Sequence, residues 1–231
     1  MAVIVGHDAI HANVSHLPPG QAAGYTTGSA DIKWTPADWA AHKGAVRICQ
    51  DSGSDHTADV LDIERGAATN ANAAPWYLHA LASYKSAARP GQRRPALYTS
   101  ASNVTPLVDA LIGAGIKSGP CLWVANWNLT DAQAVADVQN AAGPYPIVGV
   151  QFHSGAFYDT DVFSHGWLSA VSQAGAHQHL TAAGDTVTSI ASSRRMHPDS
   201  WLALQARLGA DVGALGSGPL KAGITWLSVN P

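Results

Sequence analysis

Short runs of apolar residues recur along residues 1–170, and stretches with helical spacing separate most of these runs. Short apolar runs bounded by turn residues are typical of buried strands. This pattern predicts strands over residues 3–6, 22–25, 45–49, 60–63, 96–99, 122–126 and 147–152. Helical spacing predicts helices over residues 36–43, 73–88, 104–114 and 131–141.

The order of these elements, strand and then helix, predicts βα units arranged around a largely parallel sheet. A complete eightfold (β/α) barrel takes about 250 residues, whereas the predicted strands and helices end near residue 170. The predicted fold class is therefore α/β, and the predicted architecture of residues 1–170 is a compact or incomplete (β/α) TIM-like barrel.

The remaining residues have a different pattern. Residues 171–179 are small and polar and are predicted to be a linker. Residues 180–231 show strand, helix, helix and strand patterns, with helices expected over 187–195 and 198–208 and the last strand over 225–229. This order predicts a small βααβ domain that folds separately from the barrel.

The composition excludes several classes of protein. Apolar residues make up 46% of the chain and charged residues 13%, against about 25% charged residues in an average protein, so a packed core is expected. The net charge is −3 and there is no long basic run, so no nucleic-acid partner is predicted. No apolar stretch reaches about 18 residues and residues 1–10 lack a basic segment, so neither a membrane span nor a signal peptide is predicted.

The residue types that most often bind metals show no ligand pattern. Cys49 and Cys121 lie in apolar segments, which predicts buried free thiols, and a disulfide between them is the alternative. His7, His11 and His16 cluster near the start of the chain without a carboxylate at ligand spacing. The sequence therefore predicts no metal site and no cofactor.

The most informative polar pattern lies at the end of the fourth predicted strand. Because strand side chains alternate, Leu61 and Ile63 share the face that packs against helices, while Asp62 and Glu64 point into the barrel. Barrel active sites lie at this end of the strands. Two close carboxylates raise each other's proton affinity, so one can donate a proton while the other stays ionised, as glycoside cleavage requires. A solvated strand end or a salt bridge to Arg65 is the alternative interpretation.

Five short motifs follow one another in order. They are Asp62-Ile63-Glu64, Ala96-Leu97-Tyr98-Thr99, Leu122-Trp123-Val124-Ala125-Asn126-Trp127, Val148-Gly149-Val150-Gln151-Phe152 and Tyr158-Asp159-Thr160-Asp161-Val162-Phe163. This succession resembles the family-25 glycoside hydrolases, the muramidase-type lysozymes. Ala23-Gly24-Tyr25 and the segment 34–39 are similar to an actinobacterial and actinophage branch of that superfamily. The resemblance covers residues 1–168 and implies a barrel that cleaves the glycan of peptidoglycan.

The resemblance implies a role for each matching carboxylate. Glu64 is similar to the general acid that protonates the glycosidic oxygen. Asp62 is similar to the group that stabilises positive charge or orients the N-acetyl group of the substrate. Asp8 resembles the family's first-strand carboxylate and Asp159 its last one, with Asp161 as the alternative to Asp159. The candidate catalytic residues are therefore Asp8, Asp62, Glu64 and Asp159.

Further residues match positions that line the family's sugar groove. They are Tyr98, Trp123, Gln151 and Asp161. For each, packing in the barrel core or a buried hydrogen bond is the alternative interpretation. The chain departs from the family between Asp8 and Asp62, where the family has several βα units and this sequence shows one convincing strand, residues 45–49. The departure predicts a shortened wall and a more open groove. In the actinobacterial branch, the strand that corresponds to the family's first strand is alternatively residues 22–25, and in that case Asp8 does not match the first-strand carboxylate.

A second resemblance covers the C-terminal residues. Gly184-Asp185-Thr186, the Ser-Ile-Ala segment at 189–191 and the Leu-Lys-Ala-Gly segment at 220–223 are similar to a LysM module. The resemblance implies a βααβ fold that recognises N-acetylglucosamine in peptidoglycan or chitin, with Gly184, Asp185 and Thr186 as candidate glycan-binding residues. LysM modules also serve as assembly modules in phage tails, which is the alternative role.

Together these observations predict a peptidoglycan-directed glycosidase of the lysozyme type with a wall-binding module, as an actinophage lysin or tail-associated protein. Its predicted partner is the N-acetylglucosamine/N-acetylmuramic acid polymer of the cell wall, with other phage tail proteins as further partners. We expect the protein in the host cytoplasm during synthesis and then at the cell wall or in the virion tail. The alternative is a non-catalytic tail or baseplate protein whose degenerate barrel binds wall glycan or tail proteins.

Overall fold

The computed structural model describes residues 2–138 and 140–170, and the backbone of the strands His177–Leu180 and Thr225–Ser228. The chain divides into two compact units, Met1–Ser172 and Gln173–Pro231. The first unit is a mixed α/β domain built around one sheet.

Nine strands form the sheet of the first unit. They are β1 (Val3–Asp8), β2 (Gln21–Tyr25), β3 (Val46–Cys49), β4 (Val60–Ile63), β5 (Ala96–Ser100), β6 (Cys121–Ala125), β7 (Ala141–Ala142), β8 (Tyr145–Ser154) and β9 (Asp159–Ser164). Strands β1 to β6 pair in parallel in chain order, and β6 also pairs in parallel with β8. β9 lies antiparallel between β8 and β1 and closes the ring. Eight strands therefore form a closed barrel, and β7 is a short partner of β8 at its edge.

Because the ring is closed, the incomplete-barrel alternative is wrong and the barrel is the compact one. Two connections shorten the chain that the barrel needs. Residues 50–59 join β3 to β4 without a helix, and residues 155–158 join β8 to β9 as a tight hairpin. All seven strands predicted for the barrel are present, and the apolar pattern misses β9 and the two-residue β7.

The expectation of a single strand between Asp8 and Asp62 is wrong, because two strands, β2 and β3, lie there, although residues 50–59 connect β3 to β4 without a helix. β2 is hard to recognise because its residues, Gln-Ala-Ala-Gly-Tyr, include small ones with low strand propensity. Gly24 is required at this position, since a Cβ atom there would come within 2.0 Å of the Trp34 ring. Trp34 itself is buried and donates a hydrogen bond from Nε1 to the Ala9 carbonyl over 2.8 Å.

Five α-helices flank the barrel. They are α1 (Pro36–Ala41), α2 (Asn70–Lys85), α3 (Val104–Gly113), α4 (Asp131–Asp137) and α5 (His165–Ser169), and 3₁₀ turns occupy His11–His16 and Ala101–Asn103. The four predicted helices are α1 to α4. α2 begins before its predicted start because the backbone N–H of Thr69 donates to Asn72 Oδ1 over 2.9 Å in a capping box. α5 has too few residues to show helical spacing in the sequence.

The side chains of β4 alternate as predicted. Leu61 and Ile63 are buried in the cluster that includes residues of α2 and α3. Val60 belongs instead to the cluster of inward-facing residues from several barrel strands. Asp62 shares the face of Val60, so the strand directs its carboxyl group into the barrel.

Aromatic rings fill the barrel below this carboxyl group. The Trp123 ring lies edge-on to Phe163 at 4.9 Å and to Tyr98 at 5.1 Å between centroids. Glycines leave room for these rings: a Cβ atom on Gly6 would lie 2.7 Å from Phe163, and one on Gly149 would lie 2.9 Å from Trp123. The barrel interior is therefore a packed core and not a pore, and the candidate site lies on top of it.

The second unit is described by two strands, β10 (His177–Leu180) and β11 (Thr225–Ser228), which pair antiparallel. β10 begins within the predicted linker, residues 171–179. The two predicted helices of the LysM-like module lie outside the described residues, as do Gly184, Asp185 and Thr186.

Candidate active site

The carboxyl ends of the parallel strands meet at one end of the barrel, which we call the mouth. β9 runs in the opposite direction, so its first residues reach the same end. Asp8 ends β1, Asp62 lies one residue before the end of β4, and Glu64 directly follows that strand. Asp159 begins β9 and pairs with Asp8 across the two strands, and Asp161 lies two positions farther along β9. The four predicted catalytic residues and Asp161 therefore converge at the mouth.

These five residues, the carboxylate cluster, divide by exposure. Asp8, Asp62 and Asp161 are 5%, 3% and 0% exposed, whereas Asp159 is half-buried and Glu64 is exposed. β4 and β9 lie four strands apart in either direction around the ring. The two accessible carboxylates, Glu64 and Asp159, therefore stand on opposite sides of the mouth.

Gln151 connects two members of the cluster from β8. The hydroxyl of Tyr98 donates to Gln151 Oε1 over 2.5 Å. The amide nitrogen of Gln151 then donates to Asp8 Oδ1 over 2.8 Å and to Asp159 Oδ2 over 3.4 Å. Carboxylate oxygens accept hydrogen bonds, so the amide must present its nitrogen to them and its oxygen to Tyr98. Tyr98 therefore fixes the orientation in which Gln151 bridges Asp8 and Asp159.

The deepest carboxyl groups are incompletely hydrogen-bonded. Trp123 Nε1 donates to Asp161 Oδ1 over 3.1 Å. Asp161 Oδ2 and Asp62 Oδ1 are buried, and neither has a hydrogen-bond partner among the described residues. An ionised carboxylate with an unsatisfied buried oxygen is strongly disfavoured. This arrangement favours the protonated form of both acids.

Burial and mutual repulsion therefore keep protons on the cluster. Loss of hydration, with the charges of Glu64 and Asp8 adding to it, raises the pKa of Asp62 to about 8. Burial, with the charge of Asp159 next in size, raises the pKa of Asp8 to about 7. Burial is also the main cause that places the pKa of Asp161 well above its usual range.

The two accessible carboxyl groups shift in the same direction. Partial burial raises the pKa of Glu64, the Tyr98 hydroxyl lowers it, and the charge of Asp159 raises it again. Partial burial also raises the pKa of Asp159, against a hydrogen bond from Ser154. Of this neighbouring pair, Asp62, with its pKa raised to about 8, is the group that holds a proton at neutral pH.

No Lys or Arg forms an ion pair with the cluster within residues 2–138 and 140–170. The ion pairs in this part of the chain are His11–Asp38, Arg89–Asp59 and Arg93–Asp59. Asp62 is buried and neither Asp62 nor Glu64 pairs with Arg65, so the alternative interpretation of a salt bridge does not describe the Asp62–Glu64 pair.

The residues predicted to line the sugar groove lie beneath the mouth. Tyr98 is 8% exposed, Trp123 and Gln151 are each 1% exposed, and Asp161 is fully buried. Their hydrogen bonds run to one another and to the catalytic candidates. Their surroundings match the alternative interpretation, in which these residues pack in the core or form buried hydrogen bonds.

Two aromatic side chains are exposed near the mouth instead. Trp127 closely follows β6 and is 48% exposed. Phe157 lies in the hairpin before β9, is also 48% exposed, and stacks on the His16 ring at 4.0 Å. Sequence reasoning missed both as surface groups. Their position in the loop after a barrel strand was the available signal, because such loops form the mouth.

A pocket of about 450 Å³ opens beside Glu64 at the ends of β4 and β5. Its polar lining includes Arg65, Ser100, Asn70 and Asn103. Asn70 and Asn103 exchange hydrogen bonds, each Nδ2 donating to the Oδ1 of the other over 3.0 Å. This pocket is contiguous with Glu64 and offers both neutral and cationic donors.

The cysteines, the metal-ligand groupings and the helix lengths of the described residues bear on further predictions from the sequence. Cys49 and Cys121 are buried free thiols, as predicted. In the described part of the chain, no group of three or more His, Cys, Asp or Glu side chains is arranged to hold a metal ion. None of the described helices is both long and apolar enough to cross a bilayer.

Comparisons with known proteins add no family to this description. No family model, curated protein or solved structure matches the chain. Function is therefore inferred from the geometry of the mouth and from the motifs of the sequence.

Proposed function

We propose that this protein is a lysozyme-type glycoside hydrolase that cleaves the glycan of peptidoglycan. The observation that carries the proposal is the carboxylate cluster, in which buried and accessible carboxyl groups meet at the mouth and, among the described residues, pair with no Lys or Arg. Glycoside cleavage requires one carboxyl group that keeps a proton and another that is ionised. The resemblance of the motifs to the family-25 hydrolases and their TIM-like barrels supplies the substrate class.

In this proposal Glu64 is the general acid. It is exposed and lines the pocket, so a glycosidic oxygen can reach it. Asp62 lies two residues earlier on the same face, about 6.6 Å away at the Cα atoms. Partial burial raises the pKa of Glu64 itself, so Glu64 keeps its proton to a higher pH than an ordinary glutamic acid and can donate it.

Asp159 is the counterpart on the opposite side of the mouth. A sugar ring placed across the mouth has Glu64 on one side and Asp159 on the other, which is the two-carboxyl arrangement of glycosidases. Asp159 then stabilises positive charge on the ring or activates a water molecule. Gln151 acts as a positioning residue, because its amide nitrogen donates to Asp159, and Asp8 accepts from the same nitrogen.

Residues 180–231 act in this proposal as a LysM-like module that holds the enzyme on wall glycan. The sequence motifs around Gly184, Asp185 and Thr186 support this role. Attachment to an insoluble polymer raises the effective concentration of substrate at the barrel. An actinophage lysin or tail-associated protein, made in the host cytoplasm and acting at the wall, has this requirement.

The accessibility of Glu64 favours the hydrolase over a non-catalytic tail or baseplate protein. A barrel that served assembly alone would have no need to keep one carboxyl group exposed above buried, unpaired ones. We therefore treat the structural role as the outcome that remains if no cleavage is found.

The test is release of reducing ends from actinobacterial cell walls by the full chain. Replacing Glu64 with Gln keeps the size of the side chain and removes the acid, and general-acid catalysis contributes about 10²- to 10⁴-fold to a rate. We expect Glu64→Gln to lose activity by that factor while it still binds walls. Asp109→Asn, an exposed carboxyl change on α3, is the matched control and should cleave normally. Equal release by wild type and Glu64→Gln would contradict the assignment.

A further inference from the structure

The two ends of the barrel differ sharply in cationic side chains. Most Lys and Arg residues of the described barrel lie at the end away from the mouth, because each precedes a strand, lies at its start or ends the helix before it. They are Lys43, Arg47, Lys85, Arg89, Arg93, Arg94 and Lys117. At the mouth end, Arg65 directly follows β4, and Lys33 bridges Tyr25 at the end of β2. Of the Lys and Arg side chains in the described barrel, Arg65 and Lys33 are therefore the two at the mouth end.

Arg65 is the cation that belongs to a pocket. It lines the 450 Å³ pocket beside Glu64, a size within the range of about 300–1,000 Å³ for small-molecule sites. Arg65 is exposed and forms no ion pair with any residue in 2–138 or 140–170. Its guanidinium is therefore available to a carboxylate from outside the chain.

The rest of the pocket suits a peptide. Ile63 and Ala68 are each 2% exposed and give it an apolar floor. Ser100 and the paired amides of Asn70 and Asn103 add neutral donors and acceptors. Small apolar groups, amides and a carboxylate are together the chemistry of a short acidic peptide, whereas a neutral sugar needs no cation.

We propose that this pocket binds the carboxylate-bearing peptide branch that peptidoglycan carries on its sugars, with Arg65 as the residue that recognises the charge. The proposal rests on the proposed function for the identity of the polymer. Glu64 is compatible with it, because the acid form that donates a proton carries no charge to repel the branch. The pocket then selects which sugar lies next to Glu64, since the branch occurs on alternate sugars of the chain.

The experiment compares the binding of two soluble glycan fragments, one with peptide branches and one from which an amidase has removed them. Binding is measured calorimetrically with the full chain carrying Glu64→Gln, so that cleavage does not interfere. We expect the branched fragment to bind more tightly, and Arg65→Gln to reduce that preference about fivefold or more, as for a hydrogen bond to a charged group. Arg65→Lys should retain part of it, because the charge remains without the planar fork.

Two further variants make the result specific. Lys33→Gln removes the other cation at the mouth end and should leave the preference unchanged. Asn70→Asp keeps an oxygen for the Asn103 amide but adds a negative charge to the pocket, so it should also reduce the preference. The preference should fall as salt rises from about 0.05 M to about 0.5 M, because the contact is charged and accessible.

Equal binding of the two fragments by the Glu64→Gln chain, or an unchanged preference in Arg65→Gln, would overturn the proposal. A loss of affinity that is the same for both fragments would overturn it as well and would assign the pocket to sugar. Failure of the proposed function is a separate result, since it is measured as absence of reducing ends with the wild-type chain, whereas the preference is measured without cleavage.

Discussion

Both ends of the barrel bury carboxyl groups, but they treat them in opposite ways. At the end away from the mouth, Asp59 is fully buried and forms ion pairs with Arg89 at 2.5 Å and Arg93 at 3.3 Å. The backbone N–H of Arg47 donates to it over 3.0 Å. At the mouth, Asp62 is nearly as buried and has an oxygen without any hydrogen-bond partner among the described residues.

The comparison separates carboxyl groups that hold the fold from those available for chemistry. A buried carboxylate that pairs with two arginines helps to fix the folded structure, and loss of either partner leaves a buried charge without compensation. A buried carboxyl group without a cation keeps its proton to a higher pH, and perturbed groups of this kind concentrate at functional sites. The predictions below test whether the two ends differ in this way.

The largest expected effect is at the paired end. Asp59→Ala leaves Arg93, which is 4% exposed, without its carboxylate. We expect the free energy of unfolding to fall by about 3–5 kcal/mol, as for other broken buried ion pairs. Urea unfolding measures it. Asp62→Asn is the matched change at the mouth and should not lower the free energy of unfolding at neutral pH, because Asn resembles the protonated acid of the folded chain and cannot ionise when the chain unfolds. Equal losses in the two variants would remove the distinction.

The second effect is the pH dependence of stability. The pKa of Asp62 is raised to about 8 in the folded chain from about 3.9 in an unfolded one, so its stabilising contribution is complete at low pH. That contribution is lost as pH rises toward 8, by up to about 1.4 kcal/mol per pH unit. Wild type should therefore lose about 2–3 kcal/mol more than Asp62→Asn between pH 5 and pH 7. Parallel pH profiles of urea unfolding for the two chains would contradict this.

A smaller effect is expected at the hydrogen-bond chain that supports the mouth. Tyr98→Phe leaves Gln151 Oε1 buried without its donor, which should cost about 1–2 kcal/mol of stability. The Tyr98 hydroxyl also lowers the pKa of Glu64, so its removal lets Glu64 keep a proton to higher pH. We expect the alkaline limb of wall cleavage to move upward in pH. If Tyr98→Phe lowers the free energy of unfolding but leaves the alkaline limb of the pH profile of cleavage unchanged, Tyr98 has a structural role alone.

The smallest effect on stability is expected at an exposed ring. Trp127→Ala should change the free energy of unfolding by less than about 0.5 kcal/mol, since the side chain is 48% exposed. If the ring forms part of the glycan path, the KM for soluble glycan should rise severalfold while kcat is little changed. Leu78→Ala, a similarly exposed change on α2, is the control. Equal KM values for the two variants would remove Trp127 from the path.

The sequence predicts the barrel strands well where apolar residues are continuous. It misses β9 because Asp159 and Asp161 occupy its inward face and make it resemble a polar loop. The inward position of those two residues is nonetheless the reason that β9 belongs to the site. The polar residues that the site requires therefore hide the strand pattern of β9, and its pairing with β1 and β8 identifies it as a strand.

The position of Asp62 and Glu64 at the mouth is predictable because the end of β4 is predictable, whereas Asp8 and Asp159 are assigned through the family resemblance. Asp8 and Glu64 follow apolar runs, and parallel strands bring their ends together. The bridge through Gln151 is not predictable, since it depends on the register of β8 against its neighbours. The burial of Trp123 is not predictable either. The resemblance predicts this residue in the sugar groove, whereas in the closed barrel it lies beneath the mouth and is 1% exposed.

The proposed cleavage and the comparison of the two ends both depend on protons held at the mouth at neutral pH. Carbon-13 NMR titration of the carboxyl groups measures this directly, with Asp62→Asn and Asp8→Asn to assign the signals. We expect the signal lost in Asp62→Asn to titrate near pH 8 and the signal lost in Asp8→Asn near pH 7. Titration of both below about pH 5, the ordinary range of carboxyl groups, would contradict the account.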